Sequence, residues 1–147
     1  MILKIQINKN NPILRKKTEP VAEITGEILN LIKDMKETMA KDNGVGLSAN
    51  QIGKSIRLFI ISPELSKKQV FINPKIIKLS KKTETMEEGC LSLPDIFIPI
   101  ERAKSLKIKA SDEKGKEFKL KAKDLLARAI QHETDHLNGI LICDNAK

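Results

Sequence analysis

The two histidines of this 147-residue chain lie four positions apart, in the segment from Gln131 to His136. Residues i and i+4 of an α-helix lie one turn apart on the same face, so the side chains of His132 and His136 can bind one metal ion. Glu133 stands between them and can act as a general base. This His-Glu-x-x-His pattern is typical of metal-dependent hydrolases and predicts a catalytic metal site.

The flanking sequence indicates that the motif lies on an amphipathic helix. Apolar residues recur at helical spacing from Leu125 to Leu137. We expect Asp124 to be the N-cap of this helix and Gly139 to end it. The alternative is a chance match on a solvated helix, and the apolar flanks argue against it.

A catalytic site of this kind needs a third protein ligand and an open position for water. Cys90 is the candidate, because it follows a strand-like stretch from Thr83 to Met86. Gly89 allows a tight backbone turn there, and Pro94 is expected to end the run. A thiolate is a strong, soft donor. Cys90 alone would be interpreted as a structural thiol, but beside the histidine pair we interpret it as a ligand.

Two glycines and several small residues occupy the segment from Gly44 to Gln51. They permit close approach of the backbone to a ligand, although the segment alone predicts only a tight turn. The spacing of a phosphate-binding loop is absent. Gln51 carries an uncharged amide that can donate a hydrogen bond to an oxyanion.

Composition indicates a single domain over residues 1–147. Hydrophobic residues make up 40% of the chain and aromatic residues 3%, so aliphatic side chains must fill the core. We find no signal peptide, no membrane-spanning stretch and no disulfide framework, and we expect a cytoplasmic protein. Cys143 lies in a short apolar run and is interpreted as core filler.

The formal net charge of +8 comes mostly from lysine. A solvated surface is the preferred interpretation, and attraction to an anionic partner such as ribosomal RNA is the alternative. The lysines are scattered along the sequence without interleaved aromatic residues. That pattern argues against a dedicated nucleic-acid surface.

The pattern of apolar residues predicts an α+β fold with mostly antiparallel sheets, because strands come in groups between an early and a late helix. The predicted elements are a strand-like N-terminus (1–8), a helix (23–39) ended by residues 42–44, a strand (57–62), a strand broken near Pro74 (70–79) and a hairpin (105–110 and 116–121).

Together the three motifs resemble those of the peptide deformylase family, G-x-G-x-A-A-x-Q, E-G-C-L-S and H-E-x-D-H. They occur here from Gly44 to Gln51, Glu88 to Ser92 and His132 to His136, in the family's order and spacing. The resemblance extends to Arg102 and covers nearly the whole chain. One departure is Ser48, which stands where the family usually has Ala.

The resemblance implies one compact domain of antiparallel sheets around a central helix that carries the HExxH motif, with an N-terminal helix and little or no C-terminal helix. It implies removal of the formyl group from the formyl-methionine of new polypeptides, with release of formate. The implied metal ligands are Cys90, His132 and His136. The expected metal is Fe(II), which nickel, cobalt or zinc can replace in purified protein.

The resemblance also implies catalytic roles. Glu133 would take a proton from the attacking water and later deliver it to the leaving amine. The Gln51 amide and the Leu91 backbone N–H would donate to the developing oxyanion.

The implied substrate site has a backbone part and a side-chain part. The backbone around Val45 and Gly46 would pair with the peptide as a strand does. The methionine side chain would enter an apolar pocket lined by Val45, Leu125 and Ala129, with Phe97 on the rim.

Two arginines have open interpretations. Arg102 is expected to form an ion pair with Glu88 that holds the Cys90 loop. Arg128, one turn before His132, is either solvated or borders the pocket.

The chain ends eleven residues after His136, whereas many family members continue into a C-terminal helix implicated in ribosome docking. We therefore expect a minimal, monomeric deformylase from a virus or an organism with a reduced genome, in the former case in the host cytoplasm. A ribosome contact would use the basic surface. Two alternatives stay open: a zinc protease with the same helix motif, and a non-enzymatic ribosome- or RNA-binding module.

Overall fold

Helices and strands account for most of residues 1–145, which the computed structural model describes. In chain order the elements are α1 (Pro12–Arg15), α2 (Gly26–Lys41), β1 (Gly46–Ser48), the 3₁₀ helix η1 (Ala49–Ile52), β2 (Leu58–Ile61), β3 (Val70–Leu79), β4 (Thr83–Cys90), β5 (Leu93–Ala103), β6 (Ser105–Ser111), β7 (Glu117–Lys123), α3 (Asp124–Leu137) and the 3₁₀ helix η2 (Ile142–Asn145).

The strands form two sheets, a five-stranded one in the order β1-β2-β3-β6-β7 and a two-stranded one of β4 and β5. Every neighbouring pair in both sheets is antiparallel. The predicted α+β fold with mostly antiparallel sheets is therefore confirmed. The predicted hairpin is β6 and β7, and the predicted break near Pro74 is a register shift within the continuous strand β3.

Helix α2 covers one face of the large sheet. Thr25 caps it by accepting a hydrogen bond from the backbone N–H of Ile28 at 3.3 Å, so the helix begins three residues later than predicted. Its buried side chains Met35 and Met39 pack in one cluster with Ile60 of β2. Burial of this apolar stripe fixes α2 against the sheet.

Helix α3 covers the opposite face of the same sheet. Its residues Ala127 and Ile130 pack against Phe59 of β2, Phe71 of β3 and Ile108 of β6. Strand β2 is consequently buried on both faces, which explains its continuous apolar sequence.

The ends of α3 differ in how well they were predicted. Gly139 follows the helix with φ +75, as expected of a residue that ends it. The prediction that Asp124 is the N-cap is wrong, because Lys123 is the N-cap and Asp124 is the first helical residue. Asp124 has φ +54, and no side chain caps this end.

Two strand predictions are wrong. Residues 1–8 form no strand, and backbone hydrogen bonds from Gln6 to Gln51 and from Asn8 to Ser92 hold this segment instead. Pro94 does not end its run but lies near the start of β5. A proline without an N–H is tolerated there because β5 belongs to a two-stranded sheet in which each strand has a free edge.

Helix α3 is the C-terminal α-helix of the described residues, so the expectation of little or no C-terminal helix is not confirmed. Within the described residues, only η2 follows it. Among the helices described here, none is both long and apolar enough to cross a membrane.

Candidate metal centre

Helix α3 presents the two histidines side by side. The rings of His132 and His136 meet edge to face with centroids 4.8 Å apart, and their Nε2 atoms are 3.1 Å apart. Burial lowers the pKa of His136 well below its ordinary value, which keeps this imidazole neutral. A neutral imidazole with a free ring nitrogen is the form that binds metal.

Cys90 approaches from the end of β4, where the register of the β4–β5 hairpin shifts between Gly89 and Cys90. Its Sγ lies 3.3 Å from Nε2 of His136. The donor atoms of Cys90, His132 and His136 all lie within 4.8 Å of one another. The structure thus brings together the three ligands that the sequence predicted from distant segments.

These donors fit a divalent transition metal. Bonds of about 2.0–2.3 Å to a tetrahedral ion place the ligand atoms roughly 3.3–3.7 Å apart. The separations of His136 Nε2 from His132 Nε2 and from Cys90 Sγ, 3.1 and 3.3 Å, are close to this range. A thiolate with two imidazoles suits iron, nickel, cobalt or zinc better than magnesium or calcium. A cation between the three donors would also relieve the mutual repulsion of their lone pairs.

Glu88 orients the ring of His132 through its Nδ1 atom. Its Oε1 accepts from Nδ1 of His132 at 2.9 Å, which leaves Nε2 directed toward the other donors. The predicted ion pair is present, because Nε and Nη2 of Arg102 each donate to Glu88 at 3.0 Å. Arg102 also donates to Asp135 at 2.5 Å.

Arg128 is the second cation that pairs with Glu88, so the interpretation of Arg128 as a solvated residue is wrong. It is buried and donates to Glu88 Oε2 at 2.6 Å, to the carbonyl of Ile100 at 2.9 Å and to that of Glu84 at 2.6 Å. These bonds tie α3 to both strands of the small sheet.

The charges in this cluster shift two pKa values in opposite directions. Burial alone would raise the pKa of Glu88, but the hydrogen bonds from His132 and Arg102 outweigh it and lower the value to about 2. Burial likewise disfavours the imidazolium of His132, but Cys90 and Glu88 stabilise it and raise its pKa to about 10.

Glu133 is buried beside the donors, with 3% of its surface exposed. Its Oε2 lies 4.0 Å from Nε2 of His132, and its Oε1 has no hydrogen-bond partner among the described residues. Burial raises the pKa of Glu133 to about 7. A buried carboxylate oxygen without a partner is costly, so a ligand or water at this point would complete the site.

Gln51 of η1 lies beside Cys90. Its Oε1 accepts hydrogen bonds from the backbone N–H and the hydroxyl of Ser48, each at 3.0 Å. Its Nε2 donates to the hydroxyl of Ser92 at 3.1 Å and lies 3.7 Å from Cys90 Sγ. The amide group therefore faces the donors through its N–H atoms.

A cavity of about 670 Å³ opens onto this centre. Its walls include all of the residues predicted to bind substrate, together with the predicted oxyanion donors: Val45, Gly46, Phe97, Leu125, Ala129, Gln51 and Leu91. Phe97, Val45 and Leu125 remain substantially exposed at its edge, and Ala129 is buried. Arg102 is not part of the wall; it is buried and contacts Glu88.

Sequence reasoning missed several residues of the site. Met86 also lines the cavity, and Ser92 contacts the Gln51 amide. Ser92 is the last residue of the Cys90 motif, and Met86 lies two residues before the motif begins. Arg128 lines the cavity as well, in agreement with the second of its two predicted interpretations.

Comparison with known proteins agrees with this geometry. The family model for polypeptide deformylase matches residues 2–147. A peptide deformylase from Dictyoglomus turgidum is 45% identical over 146 residues, which cover 99% of this chain and 94% of the relative.

Two solved structures share the fold. The crystal structure of a peptide deformylase from Thermotoga maritima has a TM-score of 0.95 at 39% identity, with 100% of this chain and 99% of that chain covered. A class I type b peptide deformylase from Acinetobacter baumannii, solved with Met-Ala-Ser bound, has a TM-score of 0.92 at 31% identity, with coverage of 99% and 98%.

The fold and the centre define an enzyme of the metal-dependent hydrolase class. The chain belongs to the polypeptide deformylase family.

Proposed function

We propose that this chain removes the formyl group from the N-terminal formyl-methionine of newly made polypeptides and releases formate. The observation that carries the proposal is the position of Glu133. One oxygen of its buried carboxylate has no hydrogen-bond partner among the described residues, and the other lies 4.0 Å from Nε2 of His132. The amide nitrogen of Gln51 lies 3.7 Å from Sγ of Cys90. A candidate proton acceptor and a candidate oxyanion donor therefore each lie next to a metal donor and line the same cavity.

Cys90, His132 and His136 would hold the metal, and we infer Fe(II) as the native ion, with nickel, cobalt or zinc as substitutes. When bound, a divalent cation lowers the pKa of water and polarises the formyl oxygen. Glu88 supports this centre by fixing the ring of His132, and Arg102 and Arg128 keep Glu88 ionised.

Glu133 would move the proton. Burial raises its pKa to about 7, and a neighbouring cation would lower that value and favour the carboxylate. The carboxylate takes a proton from the attacking water, and the resulting carboxylic acid then protonates the leaving amine. One residue with a pKa near the working pH can perform both steps.

Gln51 and Leu91 would stabilise the oxyanion that develops on the formyl oxygen. The Gln51 amide is held in advance by Ser48 and Ser92, so little reorganisation is needed when charge develops. Leu91 lines the same cavity, and its backbone N–H is the second proposed donor.

The cavity walls would select methionine. Apolar surface from Val45, Leu125 and Ala129 can bury a thioether side chain, with Phe97 at the rim. The backbone at Gly46 would pair with the peptide backbone as an added strand. The Acinetobacter relative, solved with Met-Ala-Ser, supports a peptide that begins with methionine.

A formate-release assay with formyl-Met-Ala-Ser tests the proposal. The protein is purified without oxygen, loaded with Fe(II) or Ni(II), and its metal content is measured. Wild-type protein should release formate, and Glu133→Gln should keep the metal and lose activity by at least about 100-fold. Loaded wild-type protein that releases no formate, or that instead cleaves internal peptide bonds, would overturn the proposal.

Partners and location remain predictions. We infer that formyl-methionyl nascent peptides are the substrates, that the protein works as a monomer in the cytoplasm, and that a ribosome contact would use the basic surface.

A further inference from the structure

Six lysines stand directly opposite one another in two rows across β3, β6 and β7, and we name this array the lysine ladder: Lys75, Lys109 and Lys119, then Lys78, Lys107 and Lys121. The sequence did not predict this alignment, because the residues are scattered along the chain and only strand register brings them together. All six side chains are exposed or half-buried.

The ladder occupies the part of a sheet face that no helix covers. Alternate residues of β6, such as Ile108 and Ala110, face α3 and are buried. The lysines between them therefore point to the opposite face. Helix α2 packs on that face against residues of β1, β2 and the start of β3, such as Leu47, Ile60 and Ile72.

The charges of the ladder are poorly compensated. Like charges placed directly opposite across strands destabilise a sheet. Within residues 1–145, Lys109 pairs with Glu117 at 3.4 Å, and no ion pair joins the other five lysines to a carboxylate. The stability of the fold does not account for this arrangement of like charges. The arrangement therefore favours a role in binding an anionic partner.

A depression of about 640 Å³ adjoins one row of the ladder. Its polar wall consists of four lysines and two serines: Lys78, Lys107, Lys121, Lys123, Ser80 and Ser105. Lys123 is the N-cap of α3 and stands two residues before Leu125, which lines the catalytic cavity. Residues that line the depression and the catalytic cavity are therefore close in sequence.

We propose that the lysine ladder binds the phosphate backbone of duplex RNA without reading its sequence. Ammonium groups are point charges suited to phosphate, and contacts to phosphate position a protein without specifying bases. A depression bordered by lysines fits a narrow, densely charged backbone. The ladder offers no aromatic side chain on which single-stranded bases could stack, so a duplex is the better ligand.

This inference names a surface for the ribosome contact proposed above, and its test does not use the hydrolytic reaction. The probe is a fluorescent mixed-sequence RNA duplex of roughly 16 base pairs, titrated with the full-length metal-loaded protein. The ladder variant replaces Lys78, Lys107, Lys119 and Lys121 with Gln. The control variant replaces four exposed lysines that lie outside the strands with Gln: Lys16, Lys17, Lys33 and Lys41.

The wild-type protein should bind the duplex at about 50 mM salt and lose affinity steeply as salt rises. The ladder variant should bind at least about tenfold more weakly, with a salt slope lower by about one for each phosphate contact removed. The control variant has the same net charge and should stay within about twofold of wild type. Formate release from formyl-Met-Ala-Ser should be unchanged in both variants, which shows that they fold.

Equal weakening of the two variants would mean that net charge alone attracts RNA, and would overturn the proposal. So would wild-type protein that fails to bind the duplex. Binding of anionic phospholipid vesicles, but not RNA, with the same dependence on the ladder would assign the surface to a membrane instead.

Discussion

The hydroxyl of Ser48 donates a hydrogen bond to the side-chain carbonyl of Gln51 at 3.0 Å. The backbone N–H of Ser48 donates to the same oxygen, also at 3.0 Å. Both bonds fix the amide so that its N–H atoms face Cys90 and Ser92. The residue that departs from the family motif thus contributes directly to the orientation of the proposed oxyanion donor.

Replacing Gln51 and Ser48 separately should distinguish the donor from its support. Gln51→Ala removes the donor and should lower kcat by about 10²–10³. Ser48→Ala keeps the backbone N–H bond and should cost less than about tenfold in kcat and about 1 kcal/mol in the free energy of unfolding. Formate-release kinetics and urea unfolding measure both. A Ser48→Ala loss as large as that of Gln51→Ala would contradict this division of roles.

Glu88 should make the fold sensitive to acid. Its pKa is lowered from 4.5 to about 2 in the folded protein, so its stabilising contribution is fully present above about pH 4.5 and is lost as the pH falls toward 2. The shift corresponds to a contribution on the order of 3 kcal/mol. Urea unfolding of the metal-free protein between pH 5 and pH 2 measures it.

Glu88→Gln provides the comparison for that measurement. The variant should be less stable than wild type at neutral pH, because Arg102 and Arg128 lose their buried counter-ion. The difference between the two proteins should shrink as the pH falls from about 4.5 to about 2. A constant difference over that range would show that Glu88 has an ordinary pKa in the folded state.

Metal affinity should rise with pH. The pKa of His132 in the metal-free centre is raised to about 10, so the imidazole is protonated at neutral pH and must lose a proton to become a ligand. This proton alone predicts about a tenfold gain in affinity per pH unit below pH 10. Competition between the protein and a chelator for Ni(II), at several pH values and corrected for the chelator's own protonation, measures the slope. A flat profile would contradict protonation of His132.

The sequence predicted the centre better than it predicted the fold around it. Cys90, His132 and His136 were predicted as one group, and the structure places them together, because metal chemistry restricts which residue types serve as ligands. The catalytic role of Glu133 stays a prediction. Strand β5 was not recognised, because its length depends on pairing with β4 rather than on its own pattern. The alignment of the lysine ladder and the burial of Arg128 likewise depend on contacts between distant segments, which local sequence does not report.

Gly46 should be required for the position of Glu133. A Cβ atom at Gly46 would lie 2.8 Å from Oε2 of Glu133 and 3.0 Å from its Cγ, so alanine must displace the carboxylate. Because a misplacement of about 1 Å can cost roughly 100-fold in rate, Gly46→Ala should lower kcat by that order while the metal is retained. Gly26→Ala is the matched control, since a Cβ there meets nothing within 4 Å and activity should be unchanged. Formate-release kinetics with metal analysis measure both variants. Full activity of Gly46→Ala would show that Glu133 does not need its observed position, and loss of metal would show that the glycine instead supports the ligands.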